Sequence, residues 1–525
     1  MDLFGTAGIR GSATDRVTPE LALAVGRAVA AEVRADAEGR PDAEGDAGGR
    51  DDEGDASGRP AEVVAARDGR VTGGALAAAM ESGLASGGVR VLRAGRLPTP
   101  ALAHASRGRY GVMLTASHNP PTDNGIKLFR DGSEFDREAE RAVEERVAGE
   151  APPAAWDAWT ETERVDPLGG YLADVQAYAE GFGAPLDGLR VAVDCGNGMA
   201  GPATPTVLRE LGAAVVTLNG NVDGHFPGRG SKPTPETLRD LRAFVADANE
   251  GVEDPGRPAD DGRGAGGDGD ADETEGFAFG IGHDGDADRI VIVDADGEVV
   301  HEDTVLAVLA ERYTRASDAA DPVVVTTPNA SGRIDERVRD AGGRVERVRL
   351  GALHEGIAAV REDASAAGAL GEAGTVGEAG AAGEVGADTR VVFAAEPWKH
   401  IHVAFGGWID GVTSAAVLAR LVADEGLDAL RGPVTERPYR KVSVACPDDA
   451  KEPAMDRLAT ALPDAFPDAA VDTDHGVRLE FDDASWTLVR PSGTEPYVRV
   501  YAESDDVDAL VAEVEAVVED AVADA

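Results

Sequence analysis

One unit recurs along this chain: a short apolar run, a Gly- or Asn-containing turn, a helical stretch, then a glycine and a second apolar run. It reads "AEVVAARDGRVTGGALAAAMESGLASGGVRVLRAG" from residue 61, "LRVAVDCGNGMAGPATPTVLRELGAAVVTLNG" from 189, and "PVVVTTPNASGRIDERVRDAGGRVERVRLG" from 322. Each copy is about 30 residues long, the size of a βαβ unit. The runs "VVAA", "VAVD" and "VVVTT" are β-branched and nearly all apolar, as strands covered on both faces are. Three successive α/β domains are expected from this pattern. Beyond about residue 435 the pattern changes to the alternating runs "YRKVSVAC", "VRLEF", "SWTLVR" and "YVRVYAE", followed by the amphipathic "DVDALVAEVEAVVEDAV". This tail reads as a smaller α+β domain with an antiparallel sheet. The expected division is 1–160, 161–298, 299–434 and 435–525, and a length of 525 residues is compatible with about three to five domains.

Three stretches rich in Gly, Ala, Asp and Glu, residues 35–60, 250–275 and 364–388, lack the apolar surface that offsets chain ordering. They are expected to be surface loops inserted within domains. The formal net charge is −47, and only five of the 50 basic residues are lysine. Nucleic acid would be repelled. An acidic, lysine-poor surface resembles proteins of salt-accumulating halophiles, in which molar salt shortens the Debye length to about 3 Å and screens self-repulsion. No run of about 18 apolar residues occurs, so no membrane span is expected. With Cys195 and Cys446 the only cysteines and no apolar signal core in "MDLFGTAGIRG", a reduced, cytoplasmic protein is expected.

Three segments carry candidate chemistry. In "VMLTASHNPPTDNGIKLF" an apolar strand runs into Ser117 and His118, with two prolines fixing the loop and Lys127 beyond it. A hydroxyl on a rigid loop beside groups able to move protons fits a nucleophile or phosphate carrier. In "GIGHDGDADRIVIVD", Asp284, Asp286 and Asp288 alternate just before an apolar strand. In an extended segment residues two apart face the same way, so three carboxylates would converge, at a cost that a hard cation such as Mg²⁺ relieves. An EF-hand is excluded because Arg289 and Ala295 stand where that motif needs Gly and Glu. In "VRPSGTEPYVRV", Arg490, Ser492, Gly493 and Thr494 offer a guanidinium, hydroxyls and backbone N–H groups, the set a phosphate dianion needs. No G-x-x-x-x-G-K-[ST] loop is present, which argues against a kinase.

Together with the opening "FGTAGIRG", the set "TASHNP", "DGDADR" and "RPSGTEP" resembles the α-D-phosphohexomutase family of phosphoglucomutases and phosphomannomutases, in the same order and over nearly the whole chain. The resemblance implies four domains around a central cleft, three related α/β domains with mixed sheets and a distinct fourth. It implies a hexose 1-phosphate/hexose 6-phosphate mutase acting on glucose or mannose phosphates, with glucosamine phosphates as the alternative. Ser117 matches the family's phosphoserine, and Asp284, Asp286 and Asp288 match its Mg²⁺ ligands, a phosphoserine oxygen of residue 117 being a further one. His118 and Lys127 match proton-transfer groups; Arg10 and Arg289 match residues beside the transferring phosphoryl group. Arg490, Ser492, Gly493, Thr494 and Arg499 match the clamp for the other phosphate. A hexose 1,6-bisphosphate activator is implied, and small sugar phosphates are the implied partners. One segment departs from the family: where its sugar loop reads Gly-Glu-x-Ser-Gly-His, this chain has "AAEPWKHIH", keeping Glu396 and His400 but placing Trp398 and Lys399 between them. A water-using serine phosphatase and a non-catalytic sugar-phosphate sensor are the competing classes. Retention of Ser117, Lys127 and the three aspartates disfavours the second.

Overall fold

In the computed structural model, residues 3–5, 8–39, 61–252, 276–372, 388–492, 496–523 and 525 are described. They divide into two compact units, Met1–Val300 with Trp398–Leu430, and His301–Pro397 with Arg431–Ala525. All three repeated units fold as parallel strand–helix–strand. Glu62–Arg67 pairs in parallel with Arg90–Arg96 across helix Gly73–Ser86, and Arg190–Asp194 with Ala214–Leu218 across Thr204–Glu210. The third pairs Asp321–Thr326 with Arg344–Arg347 across Arg333–Asp340.

The first unit holds two mixed sheets. Seven strands form one of them: in the order Ile9–Ser12, Asp123–Arg130, Tyr110–Leu114, Glu62–Arg67, Arg90–Arg96, Thr162–Arg164, the first two pairings are antiparallel and the rest parallel, and Ser133–Glu134 joins Asp123–Arg130 from off this path. Helices Pro19–Gly39 and Gly73–Ser86 pack over one face, burying Val25, Val29, Leu76 and Leu84 against Val63, Val91, Val112 and Ile126. Each such side chain contributes roughly 1.5–3 kcal/mol. Their crossing is close because it is made at glycines: a Cβ on Gly83 would lie 2.3 Å from the Leu23 carbonyl oxygen, and one on Gly26 2.5 Å from that of Met80. The other sheet runs Ile290–Val293, Phe279–His283, Arg190–Asp194, Ala214–Leu218, with only the first pairing antiparallel. Helix Gly411–Glu425 packs on Leu168–Ala179 and Thr204–Glu210 in this unit.

In the second unit, Arg344–Arg347, Asp321–Thr326 and Thr389–Glu396 pair in parallel. A separate antiparallel sheet runs Tyr439–Ala445, Tyr497–Glu503, Trp486–Pro491, Val477–Glu480, Ala470–Asp472. Helices Lys451–Ala465 and Val507–Ala523 bury Leu458, Leu462, Val514 and Val518 against Val477, Leu479, Val489, Val498 and Val500. The fold is therefore α/β with mixed sheets in the first unit and an antiparallel C-terminal sheet.

The acidic stretches begin later than their composition implied. Helix Pro19–Gly39 continues through residues 35–39, and Leu353–Glu372 through 364–372, because Ala and Glu, with Leu370 in the second, are good helix formers. Most of the remainder, 40–60, 253–275 and 373–387, lies outside the described residues. Cys195 and Cys446 are both buried free thiols. Among the described residues, no helix is long and apolar enough to cross a membrane.

Candidate active site

Ser117 follows the fully buried strand Tyr110–Leu114 and is itself wholly buried, with a left-handed φ of 51°. For a residue other than glycine that backbone costs about 1–3 kcal/mol and has to be held by its surroundings. Arg70 does the holding. Its Nη2 donates to the carbonyls of Ser117 (2.8 Å) and Asn119 (2.7 Å), and its Nη1 to those of Pro120 (2.6 Å) and Asp123 (2.9 Å). The guanidinium is itself fixed by Asp68, Nε to Oδ2 3.0 Å, with neither side chain exposed. Burial pushes the Asp68 carboxyl up to about 6 despite Arg70. The Thr115 hydroxyl donates to Asp68 (2.8 Å) and accepts from the Ser117 N–H (2.9 Å), tying the turn to the same pair.

The three aspartates lie between strands Phe279–His283 and Ile290–Val293, and their carboxylate oxygens fall within 4.8 Å of one another. They converge as expected, but for a different reason. The segment is a tight turn, with Ala287 at φ 63°, and not an extended run in which alternate residues face one way. The turn packs directly on the serine loop: a Cβ on Gly285 would lie 2.6 Å from the Ser117 carbonyl oxygen. The Ser117 hydroxyl donates to Asp284 Oδ2 at 2.6 Å and lies 3.2 Å from His118 Nδ1. Asp286 Oδ2 accepts from Thr99 Oγ1 (2.6 Å) and lies 3.2 Å from Thr115 Oγ1, while its Oδ1, like that of Asp288, is buried with no hydrogen-bond donor. Two buried carboxylate oxygens without donors, in a cluster of three like charges, are the arrangement a cation satisfies. The triad can hold a metal ion.

Cations surround the cluster. Lys127 Nζ reaches Asp288 (3.0 Å) and Glu134 (3.3 Å), and Arg289 Nε lies 3.8 Å from both Asp284 and Asp288. Burial, then repulsion from Asp288 and Asp286, holds the Asp284 carboxyl well above its ordinary value. At Asp288 burial also pushes upward, but Lys127, Arg289 and Lys399 outweigh it and hold the group well below. Lys127 is raised because Glu134 and Asp288 overcome its burial. Burial, with Arg289 and Arg10, pushes His118 down to about 2, so its ring is neutral. Arg10, on the edge strand Ile9–Ser12, thus acts on the same space. The first unit brings together Arg10, Ser117, His118, Lys127, Asp284, Asp286, Asp288 and Arg289.

His400 belongs to this unit too. Its Nδ1 and the Nε2 of His402 lie 3.0 and 2.9 Å from one Ser414 hydroxyl, which donates to the Asp410 carbonyl at 2.7 Å. Trp398 has φ 68°, accepts from the Ile290 N–H at 3.2 Å, and packs its indole against the cluster of Leu238, Leu241 and Val293. The bulk that departs from the family's loop is therefore partly taken up by the core.

In the second unit, Glu396 ends strand Thr389–Glu396 and accepts from the Gly351 N–H at 2.6 Å. Arg490 and Arg499 stand directly opposite each other on neighbouring antiparallel strands, donating at 3.0 Å to the hydroxyls of Tyr501 and Tyr497 respectively. Like charges so paired are destabilising unless an anion joins them. Arg490 and Arg499 overcome burial to hold the Tyr501 hydroxyl below its ordinary value. Ser492 is buried at the start of the loop, and its carbonyl accepts from Lys451 Nζ at 2.7 Å. Gly493 and Thr494 lie outside the described residues. The residues that motif reasoning missed are Asp68, Arg70, Thr99 and Thr115. A signal for Asp68 and Arg70 was available in "ARDGR", three charged residues around a glycine closing an apolar strand.

Family models match three parts of the chain: phosphoglucomutase/phosphomannomutase alpha/beta/alpha domain I at residues 54–153, domain II at 170–297 and the C-terminal domain at 442–521. A phosphopentomutase of Thermococcus kodakarensis is 35% identical over 518 residues, covering 96% of this chain and 94% of its own. A probable phosphoglucosamine mutase of Methanopyrus kandleri is 36% identical over 515 residues, with the same coverages of 96% and 94%. Among solved structures, a phosphoglucomutase/phosphomannomutase family protein of Burkholderia thailandensis superposes with a TM-score of 0.73 at 22% identity, covering 99% of this chain and 97% of that one. With relatives matching over 96% of its length, three family models and the serine and aspartate loops packed together, the chain belongs to the phosphoglucomutase/phosphomannomutase family, the α-D-phosphohexomutases, and is an enzyme of the mutase class.

Proposed function

We propose that the enzyme interconverts a hexose 1-phosphate and the corresponding hexose 6-phosphate through a phosphoserine at residue 117, with glucose and mannose phosphates as substrates. The observation that carries this reading is the buried Ser117 hydroxyl, 2.6 Å from Asp284 inside a triad with unsatisfied carboxylate oxygens. Asp284, Asp286, Asp288 and an oxygen of phosphorylated Ser117 would hold Mg²⁺, which when bound neutralises phosphoryl charge as a Lewis acid. Arg289 and Arg10 face the equatorial oxygens of the transferring group, and the backbone brace of Arg70 fixes the line of attack. As the bond from phosphorus to Ser117 Oγ breaks, the sugar hydroxyl oxygen bonds to phosphorus and its proton passes to a base. His118, whose ring is neutral, and Lys127, engaged by Asp288 and Glu134, are the two candidates. The hexose 1,6-bisphosphate so formed turns around and returns its other phosphate to Ser117, and the same compound, added as activator, loads the serine. Arg490, Ser492, Gly493, Thr494 and Arg499 would clamp the phosphate that is not reacting, and Glu396 and His400 would bind sugar hydroxyls. The four-domain division 1–160, 161–298, 299–434 and 435–525 and a reduced, salt-rich cytoplasm complete the proposal; two free thiols and a charge of −47 support the latter.

Glucosamine or pentose phosphates form the second reading, favoured by the two relatives' names and by Trp398 and Lys399 in the sugar loop. A panel of glucose, mannose, glucosamine and ribose 1-phosphates, each with its bisphosphate and Mg²⁺, tests both. Hexose 6-phosphate is expected; pentose 5-phosphate as the main product would replace the substrate, free phosphate would make the enzyme a phosphatase, and no product would make it a sensor.

A further inference from the structure

Away from the aspartates, a cavity of 340 Å³ opens between strands Glu62–Arg67 and Arg90–Arg96 and helix Gly73–Ser86. Its size falls within the range of small-ligand pockets, and it lies toward the carboxyl ends of parallel strands, where α/β sheets bind ligands. Its charged lining is Arg67, Arg93, Arg164 and Glu81, the last engaged by Arg93. The Arg67 side chain runs along the first turn of the helix, its Cδ 3.3 Å from where a Gly73 Cβ would be.

The two ends of these strands are treated differently. At their amino ends Arg90 is neutralised by Glu62 at 2.6 Å and by Glu163. At their carboxyl ends, among the described residues, no carboxylate pairs with Arg67, Arg96 or Arg164, although Arg93 is held by Glu81 at 2.7 and 2.9 Å. Arg67 and Arg96 are close enough to repel, which together with burial lowers the Arg67 pKa. In a chain with 97 acidic residues, mutually repelling arginines left without a carboxylate stand out from the surrounding surface. Two glycines keep the cavity open: Gly74 and Gly95 line it, and a Cβ on either would meet nothing within 4 Å.

We propose that this cavity is a further anion site, binding the phosphate dianion of a small phosphorylated metabolite or inorganic phosphate between Arg67 and Arg164, with Arg96 opposite Arg67 in the strand register. Guanidinium forks suit such oxygens, and the bound dianion would remove the arginine repulsion. The site is independent of Ser117 and of the substrate reading.

Calorimetric titration with inorganic phosphate, and separately with glycerol 3-phosphate, at constant ionic strength set by KCl, tests it on the full chain. The wild type is expected to bind one more anion per chain than Gly74→Leu, which plugs the cavity at a helical position with room for the side chain. Arg96→Gln with Arg164→Gln, both exposed, should weaken that extra site tenfold or more, with basal mutase rate unchanged in both variants. The tighter of the two probes identifies the source as free or esterified phosphate. Equal stoichiometry in wild type and Gly74→Leu, or an extra site indifferent to the arginine substitutions, would overturn the proposal.

Discussion

Ser117 and Arg490 each sit at the end of an apolar strand, yet the polar groups around them are provided for differently. Around Ser117 the loop carbonyls have donors from one buried arginine, that arginine has a carboxylate, and the carboxylate has a threonine. Around Arg490 a second arginine stands opposite, the two donate to tyrosine hydroxyls, and Arg490 Nε is buried without a hydrogen bond. The first region is a closed framework of mutually satisfied groups around its carboxylates; the second gathers like-charged donors on neighbouring strands. A group that reacts must be held still, whereas a group that grips a passing phosphate gains from unspent hydrogen-bonding capacity.

The hardest blow to this contrast is Ser117→Ala, expected to lower kcat roughly 10⁴-fold with an unchanged circular dichroism spectrum. Full activity in that variant would remove the nucleophile from the scheme. Asp286→Asn should cost about 10²- to 10³-fold and shift the Mg²⁺ dependence to higher concentration. Activity in EDTA equal to that in Mg²⁺ would reduce the triad to a structural turn. Arg490→Gln is expected to act mainly on KM, raising it roughly 10- to 100-fold, the worth of a charged hydrogen bond. A variant that lost kcat alone would place Arg490 at the reacting phosphate instead.

Smaller effects are expected in stability. Burial pushes His400 down to about 3 and His402 well below its ordinary value. Unfolded, each takes up a proton near pH 6.5, about the free value. Both are neutral when folded, so the stability each contributes is full above that pH and is lost as pH falls, for His400 down toward about 3. Thermal melts between pH 7 and 4 should show His402→Gln with a flatter dependence than wild type; parallel curves would contradict it. Last, with a net charge of −47, Tm should rise by at least a few degrees as KCl reaches molar concentration. A Tm that is highest without salt would refute the halophilic reading and leave the mutase chemistry untouched.

The repeated strand–helix–strand units were legible because a buried parallel strand is nearly all β-branched and its turn is marked by Gly or Asn. The C-terminal sheet was legible through alternation, but strand Ala470–Asp472, short and largely exposed, and helix Lys451–Ala465, which contains Pro463, gave no clear period. The aspartates were found for their charge, while the turn that gathers them depends on Ala287 in a conformation that no pattern of alternate residues encodes. Arg70 escaped notice because in sequence it is one arginine among 45; only its burial against Asp68 and the loop carbonyls distinguishes it.

A loop fastened at four carbonyls by one guanidinium has little freedom to adjust when its hydroxyl is esterified. In the proposed cycle the serine carries a dianion in one half and a bare oxygen in the other, without its peptide planes turning. Backbone superposition of the charged and discharged enzyme at residues 115–123 should then be near identity, so that whatever rearrangement the cycle requires is left to the sugar.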